Sequence, residues 1–128
     1  MIINISNETK YYIVCPSAVD TGGPKDLHQL AFELKKLKKK VFLYYFPVEK
    51  KDPVHKNFRI FNLPYTEIIE DDEKNILIIP EVNQALLISN RYKRIQKIVW
   101  WLSLDFFFIT HFKKQDFSIV NNWVKYYF

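Results

Sequence analysis

The chain has 128 residues, of which 48% are hydrophobic and 17% aromatic; this excludes intrinsic disorder and suffices to bury one core without staples. Its 19 basic and 14 acidic residues leave a net charge of +5, and its single cysteine, Cys15, excludes an internal disulfide or a multi-cysteine zinc site and fits a reducing compartment. There are only two glycines, Gly22 and Gly23, where average usage would supply roughly nine, so a site needing close backbone approach is expected at that dipeptide.

The opening MIINISNETK lacks the basic-then-apolar layout of a secretion signal, and no apolar run approaches the ~18 residues of a membrane span. A cytoplasmic, soluble protein is expected. Charge is segregated: residues 25–56 hold nine Lys against four acids, whereas 67–81 hold six acids against Lys74. Such an acidic block argues against a general nucleic-acid binder and for local faces, with a weak preference for anionic ligands or a peripheral contact with a membrane surface.

In chain order, the apolar run Tyr11–Pro16 predicts a strand buried on both faces. A loop follows, and then Leu27, Leu30, Ala31, Leu34 and Leu37 recur at helical spacing, with Gly23 as expected N-cap, Pro24 in the first turn and lysines 35, 36, 38, 39 and 40 at the far end. Residues 41–47, VFLYYFP, predict a second strand and complete a right-handed β-α-β unit. The stretch 48–74 is polar and irregular, with FRIF at 58–61 as a candidate short strand. NILIIPE, residues 75–81, predicts a strand, VNQALLIS has modest helical character, and residues 94–103 predict one more strand in which Trp100 and Trp101 face opposite sides. In the last segment Phe117, Val120, Val124 and Tyr127 share a helical stripe. Strands alternating with helices predict an α/β layered fold with a mainly parallel sheet.

In such a sheet ligands bind beyond the carboxyl ends of the strands. Asp20-Thr21-Gly22-Gly23-Pro24 joins the first strand to the first helix, where two glycines and the positive helix end make a candidate anion site; the alternative is a turn and cap. GxGxxG and GxxxxGK[ST] are both absent. His28, one turn into the helix, is either a substrate contact or a structural histidine. Glu81 and Asp105 follow strand ends, where a carboxylate can accept from sugar hydroxyls, act as a base, or cap the next helix. His55 and His111 have no partners at ligand spacing, so no metal is expected, and Cys15 is expected in the core. The block 70–74, EDDEK, lacks the D-x-D-x-D-G pattern and is expected to be a solvated loop.

The segment YYIVCPSAVDTGGPKDLHQLAFELKKL, together with NILIIPE and KIVWWLSLDFFF, resembles the N-terminal half of two-domain GT-B bacterial glycosyltransferases, nearest to the group-1 enzymes of capsule and lipopolysaccharide clusters. The resemblance implies a single three-layer Rossmann-like domain over residues 1–128, without the C-terminal domain that holds most of the nucleotide-sugar. It implies that Thr21, Gly22 and Gly23 face the donor diphosphate with His28 close behind, and that Glu81 and the Ser103–Asp105 turn line the acceptor side. In the complete enzyme Asp105, then Glu81, then His28 are the candidates to deprotonate the acceptor hydroxyl. The nucleotide-sugar is substrate, and no cofactor is implied. Alone the chain is expected to be inactive. Its partner is expected to be a C-terminal-domain chain or a second copy, met through the aromatic tail of Trp123, Tyr126, Tyr127 and Phe128, with activity at the inner face of the membrane. The competing expectation is a non-catalytic α/β module that binds a phosphorylated ligand or a partner protein. A receiver-type phosphorylation domain is disfavoured because Cys15-Pro16-Ser17 stands where its acidic pair would be.

Overall fold

Each apolar run forms a strand whose alternate side chains enter different layers, so both faces of the sheet are covered. The computed structural model describes residues 2–48 and 51–105. Along the chain it places β1 (Lys10–Pro16), α1 (Gly22–Lys36), β2 (Lys40–Phe46), a 3-10 turn (Lys56–Phe61), β3 (Ile76–Pro80), α2 (Asn83–Ser89) and β4 (Gln96–Trp100). The strands make one four-stranded sheet in the order β2-β1-β3-β4, and every pairing is parallel. This is an α/β fold, as the alternation of elements predicts.

The period of two is visible in β1. Tyr11, Ile13 and Cys15 join Val41, Leu43, Tyr45, Ile76 and Ile78 beneath α1, which contributes Leu27 and Ala31. Tyr12 and Val14 join Tyr44, Leu77 and Ile79 on the opposite face, against Ala85 and Ile88 of α2. Helix α1 buries Pro24, Leu27, His28 and Ala31, an i, i+3, i+4, i+7 stripe. No helix among the described residues is long and apolar enough to cross a membrane.

The outer edge of β2 is covered by the segment after the 3-10 turn: Leu43 N–H donates to Pro64 O at 3.0 Å and Thr66 N–H to Leu43 O at 2.9 Å. This satisfies edge groups that would otherwise be open to another chain. The acidic block also has a structural part. Asp71 accepts backbone N–H bonds from Lys93, Arg94 and Ile95 at 2.8–2.9 Å, which lower its carboxyl below the ordinary range and fix the entry to β4. The solvated loop expected at 70–74 is therefore anchored.

Several local expectations are corrected. The N-cap of α1 is Thr21, and the helix starts at Gly22. FRIF lies in the 3-10 turn because the His55 ring accepts from Asn57 N–H at its start and Asn62 closes it in a left-handed conformation, which curls the chain and turns Phe58 inward. The last predicted strand stops at Trp100, so Trp101 lies outside it, and both tryptophans are exposed. The helical stripe at Phe117–Tyr127 and the tail residues Trp123, Tyr126, Tyr127 and Phe128 lie outside the described residues.

Candidate functional site

With the order β2-β1-β3-β4, the crossover after β1 runs to one side and the next strand lies on the other, so a crevice opens between the carboxyl ends of β1 and β3. A cavity of about 560 Å³ occupies that position, walled by Pro16, Pro80, Val82, Leu27 and Leu102 and bordered by Thr21, Gly22, Gly23, Asp26, Glu81 and Ser103. The fold thus brings Thr21, Gly22, Gly23, Glu81 and Ser103 to one place. Asp105 is exposed just beyond this wall and is not part of the lining, and His28 is excluded from it.

The first turn of α1 supplies the polar character. Its leading N–H groups have no acceptor within the helix, Thr21 makes no side-chain cap bond, and Pro24 has no N–H. Neither glycine has a positive φ, so neither is required by backbone conformation. A Cβ on Gly22 would meet nothing within 4 Å, whereas one on Gly23 would stand 3.3 Å from Leu102 Cδ1. Gly23 therefore permits close packing of the β4 exit on α1, and Gly22 leaves the helix end open toward the cavity.

Glu81 is buried, and each oxygen of its carboxylate accepts a backbone hydrogen bond. Its Oε2 accepts from Leu102 N–H at 3.0 Å and its Oε1 from Ser103 N–H at 2.7 Å. These bonds draw the chain after Trp100 across the end of β3 and shape the Ser103 turn, which is why β4 ends there. Glu81 is thereby a positioning residue whose oxygens are turned to the backbone.

His28 points away from the cavity. The Pro24 carbonyl, 2.6 Å from Nδ1, can only accept, so Nδ1 carries the proton and Nε2 accepts from the Tyr45 hydroxyl at 2.7 Å. The ring also stacks on Phe58, with centroids 4.2 Å apart. Burial pushes its pKa down and outweighs the carbonyl, which favours the charged form. His28 ties the first turn of α1 to β2; sequence reasoning missed Tyr45, 17 residues away, because no local pattern announces that pair. Cys15 is fully buried, and burial raises its thiol far above the ordinary value. The apolar wall was also missed, because its residues come from the ends of β1, β3 and β4 and from α1 and no local run announces them.

Chemically the cavity offers open backbone N–H donors at a positive helix end, beside apolar walls. The helix end can take an anionic group and the walls a less polar body, while the two charged side chains of the lining, Asp26 and Glu81, are both acidic. Among the described residues no group of His, Cys, Asp and Glu is arranged as a metal site. No family model, no curated protein and no solved structure matches this chain.

Proposed function

We propose that this chain is a glycosyltransferase-related domain of the three-layer Rossmann-like kind, acting in bacterial surface-polysaccharide synthesis at the inner face of the membrane. The diphosphate of a nucleotide-sugar lies at Thr21, Gly22 and Gly23, and a saccharide acceptor lies against the Ser103–Asp105 turn. The observation that carries this reading is the open first turn of α1 at the rim of a cavity at the strand-order reversal, where the chain also carries its only glycines. Asp105, with an exposed carboxylate, takes the acceptor proton; Glu81 and His28 act by holding the Ser103 turn and the first turn of α1. The rest of the donor site comes from a second domain of the GT-B kind that faces this one, and no cofactor is needed beyond the donor itself.

The test is an amide-resolved NMR titration with pyrophosphate and with a uridine-diphosphate sugar. Both should shift the Gly22, Gly23 and Lys25 amides, and Gly22→Val should abolish the shifts while leaving Tm unchanged, because its side chain enters open space. Shifts that survive in Gly22→Val, or a folded protein whose first-turn amides ignore both ligands, would sink the proposal. The engagement of both Glu81 oxygens favours a second reading, a non-catalytic module that binds a phosphorylated ligand. Binding without sugar transfer under any partner condition would select it.

A further inference from the structure

On the other side of the first turn of α1 lies a second cavity, of about 250 Å³, between α1, the end of β2 and the segment 52–65. We propose that it is a saccharide-binding site that takes a single uncharged pyranose ring, a function separate from diphosphate binding and independent of whether that reading holds.

The wall that carries this inference is aromatic and fixed. Tyr65 is 48% exposed, yet its backbone is pinned on both sides by the Pro64 and Thr66 bonds to Leu43. Its ring meets buried Tyr45 edge-on, with centroids 5.8 Å apart at 69°. An exposed ring held in place this way is a preformed platform, and the cost of ordering it on binding is already met in the free protein. The C–H face of a sugar is electropositive and lies well against the negative face of such a ring.

The polar groups fit the rim of the same sugar. Asp52 and Arg59 line the cavity and pair with each other, so a carboxylate and a guanidinium stand side by side with no net charge. Together they accept from and donate to neighbouring hydroxyls, and they give no preference for an ionic ligand. Tyr45 also lines the cavity, and because its hydroxyl proton is committed to His28 Nε2 the oxygen can serve a sugar hydroxyl only as an acceptor. An exposed aromatic ring and a neutral ion pair lining one cavity match a ligand with an apolar face and a hydroxyl rim, as a sugar ring has. A volume of about 250 Å³ is enough for one sugar ring.

The two cavities share a wall. Pro24 lines the larger one, and its carbonyl holds His28, which lines the smaller. The experiment is an aromatic-resonance NMR titration of the full chain with glucose, galactose, mannose and N-acetylglucosamine, each as the free sugar. At least one should saturably shift the rings of Tyr45, Phe58 and Tyr65, with Gly22 and Gly23 unmoved and pyrophosphate failing to compete. Tyr65→Ala and, separately, Arg59→Gln should each weaken binding by about tenfold with Tm little changed, since both side chains are about half exposed or more. Four outcomes overturn the proposal: no sugar moves the three rings; the shifts persist undiminished in both variants; they fall on Gly22 and Gly23 instead; or uridine or adenosine moves the rings where no sugar does. Loss of the pyrophosphate response in the preceding titration would leave this result intact, so the two readings fail separately.

Discussion

His28 shows how one buried side chain links a helix to a strand and acquires a pH dependence. Burial holds its folded-state pKa beneath the ordinary 6.5, so as pH falls through 6.5 the unfolded chain takes up a proton that the folded chain refuses. Its contribution is therefore complete above 6.5, declines as pH drops below it, and levels off beneath the folded-state value. Urea unfolding of the wild type and of His28→Gln between about pH 7.5 and pH 5 should show a shallower decline in the variant. Parallel curves for the two proteins would show that His28 does not carry the effect. Glu81 teaches a related lesson: a carboxylate after a strand suggests chemistry, but one whose two oxygens hold adjacent N–H groups defines the path of the chain.

Among the elements, β4 is the one most dependent on borrowed contacts. Its residues are only partly buried or exposed, it pairs with β3 on one side, and its two ends are fastened by carboxylates from elsewhere: Asp71 at the entry and Glu81 at the exit. Asp71→Ala should free the Lys93, Arg94 and Ile95 amides, seen as faster hydrogen exchange at those positions and a lower Tm. Unchanged exchange there would mean that β3 pairing alone sets the entry. Helix α1 is the opposite case: its buried stripe, its proline in the first turn and its terminal Lys35 and Lys36 agree, and local preference and packing point to one structure. Its glycines are the exception. They weaken the first turn by helix propensity, and at Gly22 neither φ nor packing compensates, which is why that position is the most direct test of ligand binding.

Over the described molecule, stability should follow the sheet from its centre outward. Strand β1 pairs on both sides and contributes to both buried clusters, with Ile13, Val14 and Cys15 fully inaccessible. Opening β1 dismantles both layers, so its amides and those of β3 should exchange only through global unfolding, and those of Val99 and Trp100 should exchange earlier. Hydrogen exchange across a urea series measures this order; β1 amides exchanging as fast as those of β4 would contradict it. The same central position of β1 places the larger cavity. Neighbouring crossovers diverge there, and the crevice between β1 and β3 needs no special residue to exist.

The α/β class, the four strands of the sheet and the helix at the glycines could be read from the sequence, because apolar period and helix-end chemistry are local: YYIVCP, VFLYYFP and NILIIPE each carry their own burial pattern, whereas FRIF, read as a strand, does not. The position of Thr21, Gly22 and Gly23 at a strand end followed from the same signals. Tertiary structure alone decided what the polar side chains face. His28 turned to Tyr45, Glu81 to Leu102 and Ser103, and Asp71 to the 93–95 backbone, while Tyr65 came to line one cavity with Asp52 and Arg59. Each of those pairings except the short step within 52–65 joins residues at least 17 positions apart. A buried polar group takes whichever partner the packed layers bring within 3 Å, and that is a property of the assembled sheet, not of any local run.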